Sequence, residues 1–459
     1  MKSKCGRIAW IIAVSSVVFV GPPWAGAASM NPPEQARKIL ELTGVKGGLV
    51  VHLGCGEGRL TAALHANDAY LVRGLDADKD QILRAREFIR SQGLYGNVSV
   101  AHWESTRLPL ADNLANLVVS EGTTRISMDE IMRVLAPGGV ACLKQPDSWT
   151  KTAKPWPKDI DEWTHWLHDA SNNAVAEDKR VGPARQIQWK SRPEWARSHE
   201  SRGTTHTLVS AGGRVFAIVD EGITGQRAGV PSEWKLIGRD AFNGKLLWKR
   251  PAAATGARSL VASGDRVYVT LGGGEPVSIL DAATGETLAS CAETNHAEEI
   301  VCHQGSVVCR VRNRKEQRRS SGKHSQELVA VDGETGEMLW GKGGKVESTS
   351  LAARNGRVCY HNGSELACLA LKDGEELWRT SCRNNGCVVR CDGVRLLGGG
   401  GSAEAISAST GERLWNGPPA ARGIPGAFVA NGLLWSAWPS GGDFPRLSAA
   451  TKNTYTLLW

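Results

Sequence analysis

The sequence predicts a multidomain chain: an α/β domain first, then an all-β propeller in which six repeats are visible. Three observations carry that prediction. A hairpin unit recurs from residue 236 onward, an apolar strand runs into Gly54-x-Gly56-x-Gly58 and a helical pattern, and the Trp- and Pro-rich stretch between these segments follows neither period.

Residues 1–27 combine a basic start (Lys2, Lys4, Arg7), an apolar run from Ile8 to Val20, and Ala25-Gly26-Ala27. That arrangement reads as a secretory signal cleaved after Ala27, and the run is short for a membrane span. The mature chain is expected to be exported, periplasmic or extracellular, with no membrane span after signal removal. Its ten cysteines include Cys302 and Cys309, Cys359 and Cys368, and the trio Cys382, Cys387 and Cys391. Export permits bridges, but their partners cannot be deduced from sequence, and buried thiols or one or two bridges are expected. CRNNGC has neither zinc-knuckle spacing nor the trailing His of a haem-attachment motif.

Residues 28–150 read as the α/β domain. Pro33–Leu42 is helical by pattern. LVVHLGCGEGRLTAALH (49–65) reads as strand, glycine turn and helix; the glycines let backbone approach a ligand, and the helix N-terminus offers free amides. A dinucleotide site would want glycine at position 59, where the chain has Arg59, so the spacing suits S-adenosylmethionine (SAM) better. The next strand, YLVRGLDAD (70–78), carries Asp76, 22 residues after Gly54, where a carboxylate can grip a ribose diol.

With LPLAD (108–112) and RVLAPGG (133–139), these segments resemble the class I SAM-dependent methyltransferases of type 11 over Pro33–Gln145. The resemblance implies a Rossmann-like methyltransferase fold with SAM as cofactor. It places Gly54, Gly56 and Gly58 at the methionine end of SAM, Asp76 at the ribose, and Trp103 and Glu104 near the adenine. The family usually has Asp or Glu two residues before the first glycine, to hold the methionine amino group; here the residue is His52. No last two strands are legible after Leu143, no catalytic residue can be nominated, and no metal site is expected.

Residues 151–204 form a connector punctuated by Pro155, Pro157, Pro183 and Pro193. Trp163, Trp166 and Leu167 are expected on one helical face, with His165 and His168 to its side. Asp159, Asp161, Glu162, His165, His168 and Asp169 are metal-capable types, but their expected use is capping and solvation around a Trp clamp that docks one domain on the other. QIQW (186–189) is expected to supply a strand that closes the propeller ring.

From 205 to 459 each unit is a strand pair followed by a hairpin. The hairpins read LIGRDAFNGKLLW (236–248), VSILDAATGETL (277–288), LVAVDGETGEMLW (328–340), LACLALKDGEELW (366–378) and AEAISASTGERLW (403–415), with a decayed copy at 446–459. Asp or Ser opens most turns by bonding amides ahead of it, and Gly supplies the positive φ. The turn glycines Gly244, Gly285, Gly336, Gly374 and Gly411 are 41, 51, 38 and 37 residues apart, the period of a four-stranded blade. The Trp that closes most hairpins is the expected docking piece; hiding roughly 200 Å² of it contributes up to about 5 kcal/mol. The net charge is +8, and Arg310–Ser325 holds seven Lys/Arg and one Glu where the spacing stretches to 51. It reads as an inserted, solvated loop, with an acidic ligand as the alternative.

These repeats resemble those of pyrroloquinoline-quinone (PQQ) dehydrogenases and their non-catalytic propeller relatives over Thr205–Trp459. With the connector, nearly the whole mature chain is similar to exported bacterial proteins that join a methyltransferase-like domain to a PQQ-type propeller. The sixth repeat ends at the last residue, so the ring is either six-bladed and closed by an upstream strand, or cut short. The resemblance brings no defined activity, and the first reading of function is an exported binding or assembly protein, with an envelope protein or glycan at the propeller face. The alternative is an active SAM-dependent methyltransferase that recruits substrate through the propeller. A PQQ-dependent dehydrogenase is a third reading, which the absence of adjacent cysteines and of legible calcium ligands disfavours. No specific nucleic-acid partner is expected.

Overall fold

The computed structural model describes residues 31–122, 125–146, 148–182, 187–191, 205–222, 231–313, 325–382, 387–391, 394–398, 402–419, 427–431, 433–438, 446–451 and 454–457. The expected signal and most of the basic insert lie outside the described residues. Arg310 and Arg312 themselves are in a strand, Ser306–Asn313, and both pair with Glu298, so they are not part of a free loop.

The α/β domain opens with α1 (Pro32–Thr43), capped by the Asn31 side chain and ended by Gly44 in the left-handed region. Then follow β1 (Gly48–Leu53), α2 (Arg59–Ala63), β2 (Tyr70–Asp76), α3 (Lys79–Ser91), β3 (Val98–His102), β4 (Ala115–Ser120), α4 (Met128–Val134), β5 (Leu135–Lys144) and β6 (Trp149–Ala153). The sheet order is β3-β2-β1-β4-β5-β6, with β6 antiparallel to β5 and the other pairs parallel. Every residue of β1 is buried, as expected for a parallel strand with helices on both faces. β6 corrects the expectation that no strand follows Leu143. It also carries the sheet past the expected boundary at residue 150. WTKTA is an exposed edge strand of Thr and Lys, so it has no apolar run to betray it.

Among the described residues the propeller comprises six four-stranded antiparallel sheets, at 205–251, 260–291, 297–344, 352–381, 387–419 and 427–457. Consecutive first strands, from Thr205–Ala211 and Leu260–Ser263 to Cys387–Cys391 and Ala427–Ala430, touch one another and form the inner wall. Outer-strand tryptophans join the blades. Trp248 stacks on Gly285 of the next blade and donates its Nε1–H to the Ala282 carbonyl at 3.0 Å. Trp340 does the same at Gly374 and Leu371 (2.8 Å), and Trp378 at Gly411 and Ala408 (3.3 Å). Where the second blade has Ala289 instead, Cys291 Sγ lies beside Gly336. Trp189 of QIQW docks on Gly244 and donates to the Ala241 carbonyl at 2.9 Å, so it takes the place of a preceding blade's Trp although 187–191 is not a strand. Cys359 and Cys368 face each other across paired strands as buried thiols, Sγ to Sγ 3.8 Å.

The α/β domain rests on the first two blades by the N-terminal ends of its strands. Asn116 Nδ2 donates to Asp240 Oδ2 at 2.6 Å, Asn243 Nδ2 donates to the Leu114 carbonyl at 2.9 Å, and Lys46 Nζ to Asp281 Oδ2 at 3.1 Å. Asp240 thus has two tasks, because its Oδ1 also accepts from the amides of Phe242 and Asn243 to close its hairpin. The equivalent Asp332 bonds, among the described residues, within its own turn. Asp240→Ala is expected to cost about 2 kcal/mol more than Asp332→Ala, read from denaturant midpoints.

The connector departs from expectation. Residues 161–173 form no helix. The connector tryptophan that packs between the domains is Trp156, against Phe242 and beside Gly138 and Gly213, not Trp163 or Trp166. Residues 161–173 run along the inner wall of first strands. The Trp163 carbonyl accepts from Ser210 (2.7 Å), the Thr164 carbonyl from Ala262 (3.0 Å), His165 Nε2 from the Cys302 amide (3.0 Å) and the Ala170 carbonyl from Ala353 (2.7 Å). Asn173 exchanges two bonds with Val429. Among the described residues, five blades therefore bond to this segment. Arg258 lies 5.1 Å over the Trp166 ring and pairs with the buried Glu299 at 2.6 Å. The metal-capable residues are spent elsewhere: Asp159 on Arg180, Asp161 on His168, Glu162 on the Gly212 amide. No metal-capable group of three or more is found among the described residues.

His165 can accept from Cys302 only while unprotonated, and burial lowers its pKa to about 3. Burial likewise lowers that of His52 to about 4, against the pull of Glu121 and Asp76. The unfolded imidazoles take up protons near the ordinary value of 6.5, so below it the unfolded state binds more protons and stability is lost as pH falls. Each should steepen the decline by up to about 1.4 kcal/mol per pH unit between its folded pKa and 6.5. Urea midpoints over that range should fall less steeply in His165→Gln.

Candidate functional site

An open cavity of about 510 Å³ lies at the C-terminal ends of β1, β2 and β4, away from the propeller contact. Strand order creates it, because the chain leaves β1 toward β2 on one side and β4 pairs on the other. Gly54 and Gly56, with φ of 70° and 51°, turn the chain over this end, and a Cβ added to either would meet nothing within 4 Å. That empty space beside the backbone is what a closely approaching ligand requires.

Four of the six residues expected at the ligand line the cavity: Gly54, Asp76, Trp103 and Glu104. Asp76 Oδ2 accepts from the Gly56 amide at 2.8 Å and Oδ1 from the Asp78 amide at 2.9 Å, which fixes the carboxylate while leaving lone pairs for a diol. Trp103 is pinned by its Nε1–H to the Arg107 carbonyl at 2.9 Å, and Glu104 by His102 Nε2 at 2.7 Å. Gly58 is not in the cavity. It begins α2 with φ 78°, and an added Cβ would lie 3.0 Å from Ala85 of α3, so the structure gives it a packing role.

Sequence reasoning missed Ser105, Ser120 and Arg125, which also line the cavity, and Glu121, which stands between the lining residues Ser120 and Gly122. The two motif segments meet as structure: Arg133 donates to Asp112 and to Glu130, and Glu130 accepts from the Leu108 amide. His52 is wholly buried, with Nδ1 2.8 Å from Thr61 Oγ1.

Two family models match the chain in separate places. Residues 50–139 match a methyltransferase domain. Residues 179–363 and 324–459 match the outer membrane protein assembly factor BamB, together more than half of the chain. The chain belongs to the BamB family. Within that BamB-type propeller, the repeats seen as hairpins in the sequence are the blades of the structure.

Methyltransferase GfsG of Streptomyces halstedii is 29% identical over 129 residues, which is 25% of this chain and 46% of that protein. The chain therefore spans about half the length of that relative. Among solved structures, BamB from Moraxella catarrhalis is 15% identical, with 56% of this chain and 79% of that chain covered and a TM-score of 0.35. A SAM-dependent methyltransferase from Aquifex aeolicus is 23% identical, with 25% of this chain and 68% of that chain covered and a TM-score of 0.22.

Proposed function

We propose that the chain is an exported envelope binding or assembly protein, with a rigid propeller as interaction platform and an α/β domain that binds SAM. The carrying observation is the placement of the two centres. The propeller axis is filled by residues 163–173 of the same chain, whereas the α/β cavity stays open and faces away from the domain contact. Membership of the BamB family supports the envelope location, and no helix among the described residues is long and apolar enough to cross a membrane. The space over Gly54 and Gly56 and the fixed carboxylate of Asp76 support SAM as ligand. A quinone cofactor on the axis would have to displace Trp163–Asn173, which weighs against the dehydrogenase reading.

An active methyltransferase is the second reading, favoured by the polar side chains of Ser105 and Arg125 in the cavity lining. There the chain's residues would bind and orient SAM beside an acceptor, and positioning would supply most of the rate. Isothermal titration of the chain from Ala28 onward with SAM and S-adenosylhomocysteine tests the ligand. Affinity in the micromolar range, roughly −8 kcal/mol, is expected, and no heat at millimolar ligand would overturn it. Cell fractionation tests the location: recovery in the cytoplasm at full length would overturn export.

A further inference from the structure

A carboxylate stands next to the cavity. Glu121 follows β4 directly, between Ser120 and Gly122, both of which line the cavity. Its Oε1 accepts from Gln35 Nε2 of α1 at 2.5 Å and lies 4.0 Å from Lys144 Nζ. Its Oε2 lies 3.9 Å from Nε2 of His52, a separation too long for a hydrogen bond. That Nε2 is buried and has no hydrogen-bond partner among the described residues. The neutral ring carries one proton. If Thr61 donates to Nδ1, the proton sits on Nε2 and points at Glu121; the other tautomer would aim a lone pair at the carboxylate. The charge of Glu121 favours the first. So the carboxylate is anchored by Gln35 and faces the imidazole across 3.9 Å, a third of its side chain remains exposed, and Oε2 keeps capacity for another donor.

We propose that Glu121 accepts the ammonium group of the bound ligand, in place of the carboxylate that position 52 lacks. The inference rests on the SAM reading and deepens it. The cavity then takes nucleosides that carry an α-amino acid, held by Asp76 at the diol and by Glu121 at the amine, and discriminates against nucleosides without one. His52 is a positioning residue: its N–H draws the carboxylate inward, and a neutral imidazole N–H cannot itself hold an ammonium.

The test is titration of the chain from Ala28 onward, and of its Glu121→Gln and His52→Asp/Glu121→Gln variants, with SAM, S-adenosylhomocysteine and 5′-methylthioadenosine. The last keeps adenine and ribose but has no amine. Glu121→Gln preserves shape and an acceptor for Gln35, and thermal melting checks that it folds. It is expected to weaken SAM and S-adenosylhomocysteine about tenfold or more and to leave methylthioadenosine within about twofold. Adding His52→Asp should recover most of that loss. Equal weakening of all three ligands, or unchanged SAM affinity, overturns the role of Glu121 while SAM binding by the unaltered chain stands. If the unaltered chain binds none of the three, the SAM reading falls and this inference with it.

Discussion

Replacing Trp340 with alanine should destabilise the propeller by about 3–5 kcal/mol, the largest single-residue effect expected outside the α/β core. The indole is 7% exposed and lies over Gly374, where an added Cβ would come within 2.7 Å of Trp340 Cδ2. Its removal opens a cavity at the seam between two blades and strips the Leu371 carbonyl of its donor. The second blade shows how such a seam closes without Trp. There Ala289 stands at the Trp position, and Cys291, two residues on, lies beside the next turn glycine. In the third blade the residue two positions on is Lys342, which pairs with Glu376 and cannot fill the gap. The neighbouring Leu339 is 44% exposed, so Leu339→Ala should cost less than about 1 kcal/mol and serves as the control. Urea denaturation of the two variants checks the contrast.

Asp76→Ala should lower SAM affinity about a hundredfold or more. Hydrogen bonds to a charged acceptor are worth about 1.5–3 kcal/mol each, and a diol makes two. The substitution also frees the Gly56 amide that Asp76 holds at 2.8 Å, so the glycine turn loses its tie to β2. Asp76→Asn keeps one acceptor and should sit between the two. Isothermal titration reads both, and unchanged affinity in the alanine variant would sink the assignment of this cavity to SAM.

The legible parts were those encoded locally. A turn such as D-A-A-T-G at 281–285 contains its own hydrogen bonds, Asp281 Oδ1 to the amides of Ala283 and Thr284, so its repetition disclosed the blades. The Gly54-Gly56 turn and Asp76 are likewise joined within 20 residues. The connector was misread because Trp163, Trp166 and Leu167 have helical spacing, while their actual partners lie on blades far along the chain. Asn172 bonds to Leu351, and both Asn172 and His168 adopt positive φ, which no periodicity announces. Glu121 escaped notice for a similar reason, since its relation to His52 and Gln35 exists only once α1, β1 and β4 are assembled. QIQW was half legible. The docking tryptophan is there, but residues 187–191 make no strand.

The segment inside the ring also bears on the order of assembly. It precedes all six blades in the chain, so a ribosome or an export channel delivers it before any of them. Each blade that follows can be wound onto a spindle whose carbonyls and amides already await it, with the Asn173–Val429 bonds, 256 residues apart, fastened last. Contacts so distant in sequence are slow to form from a disordered chain. A spindle laid down first turns one long search into a series of short ones, and a circular permutant that delivered it last would have to thread it into a wall already built.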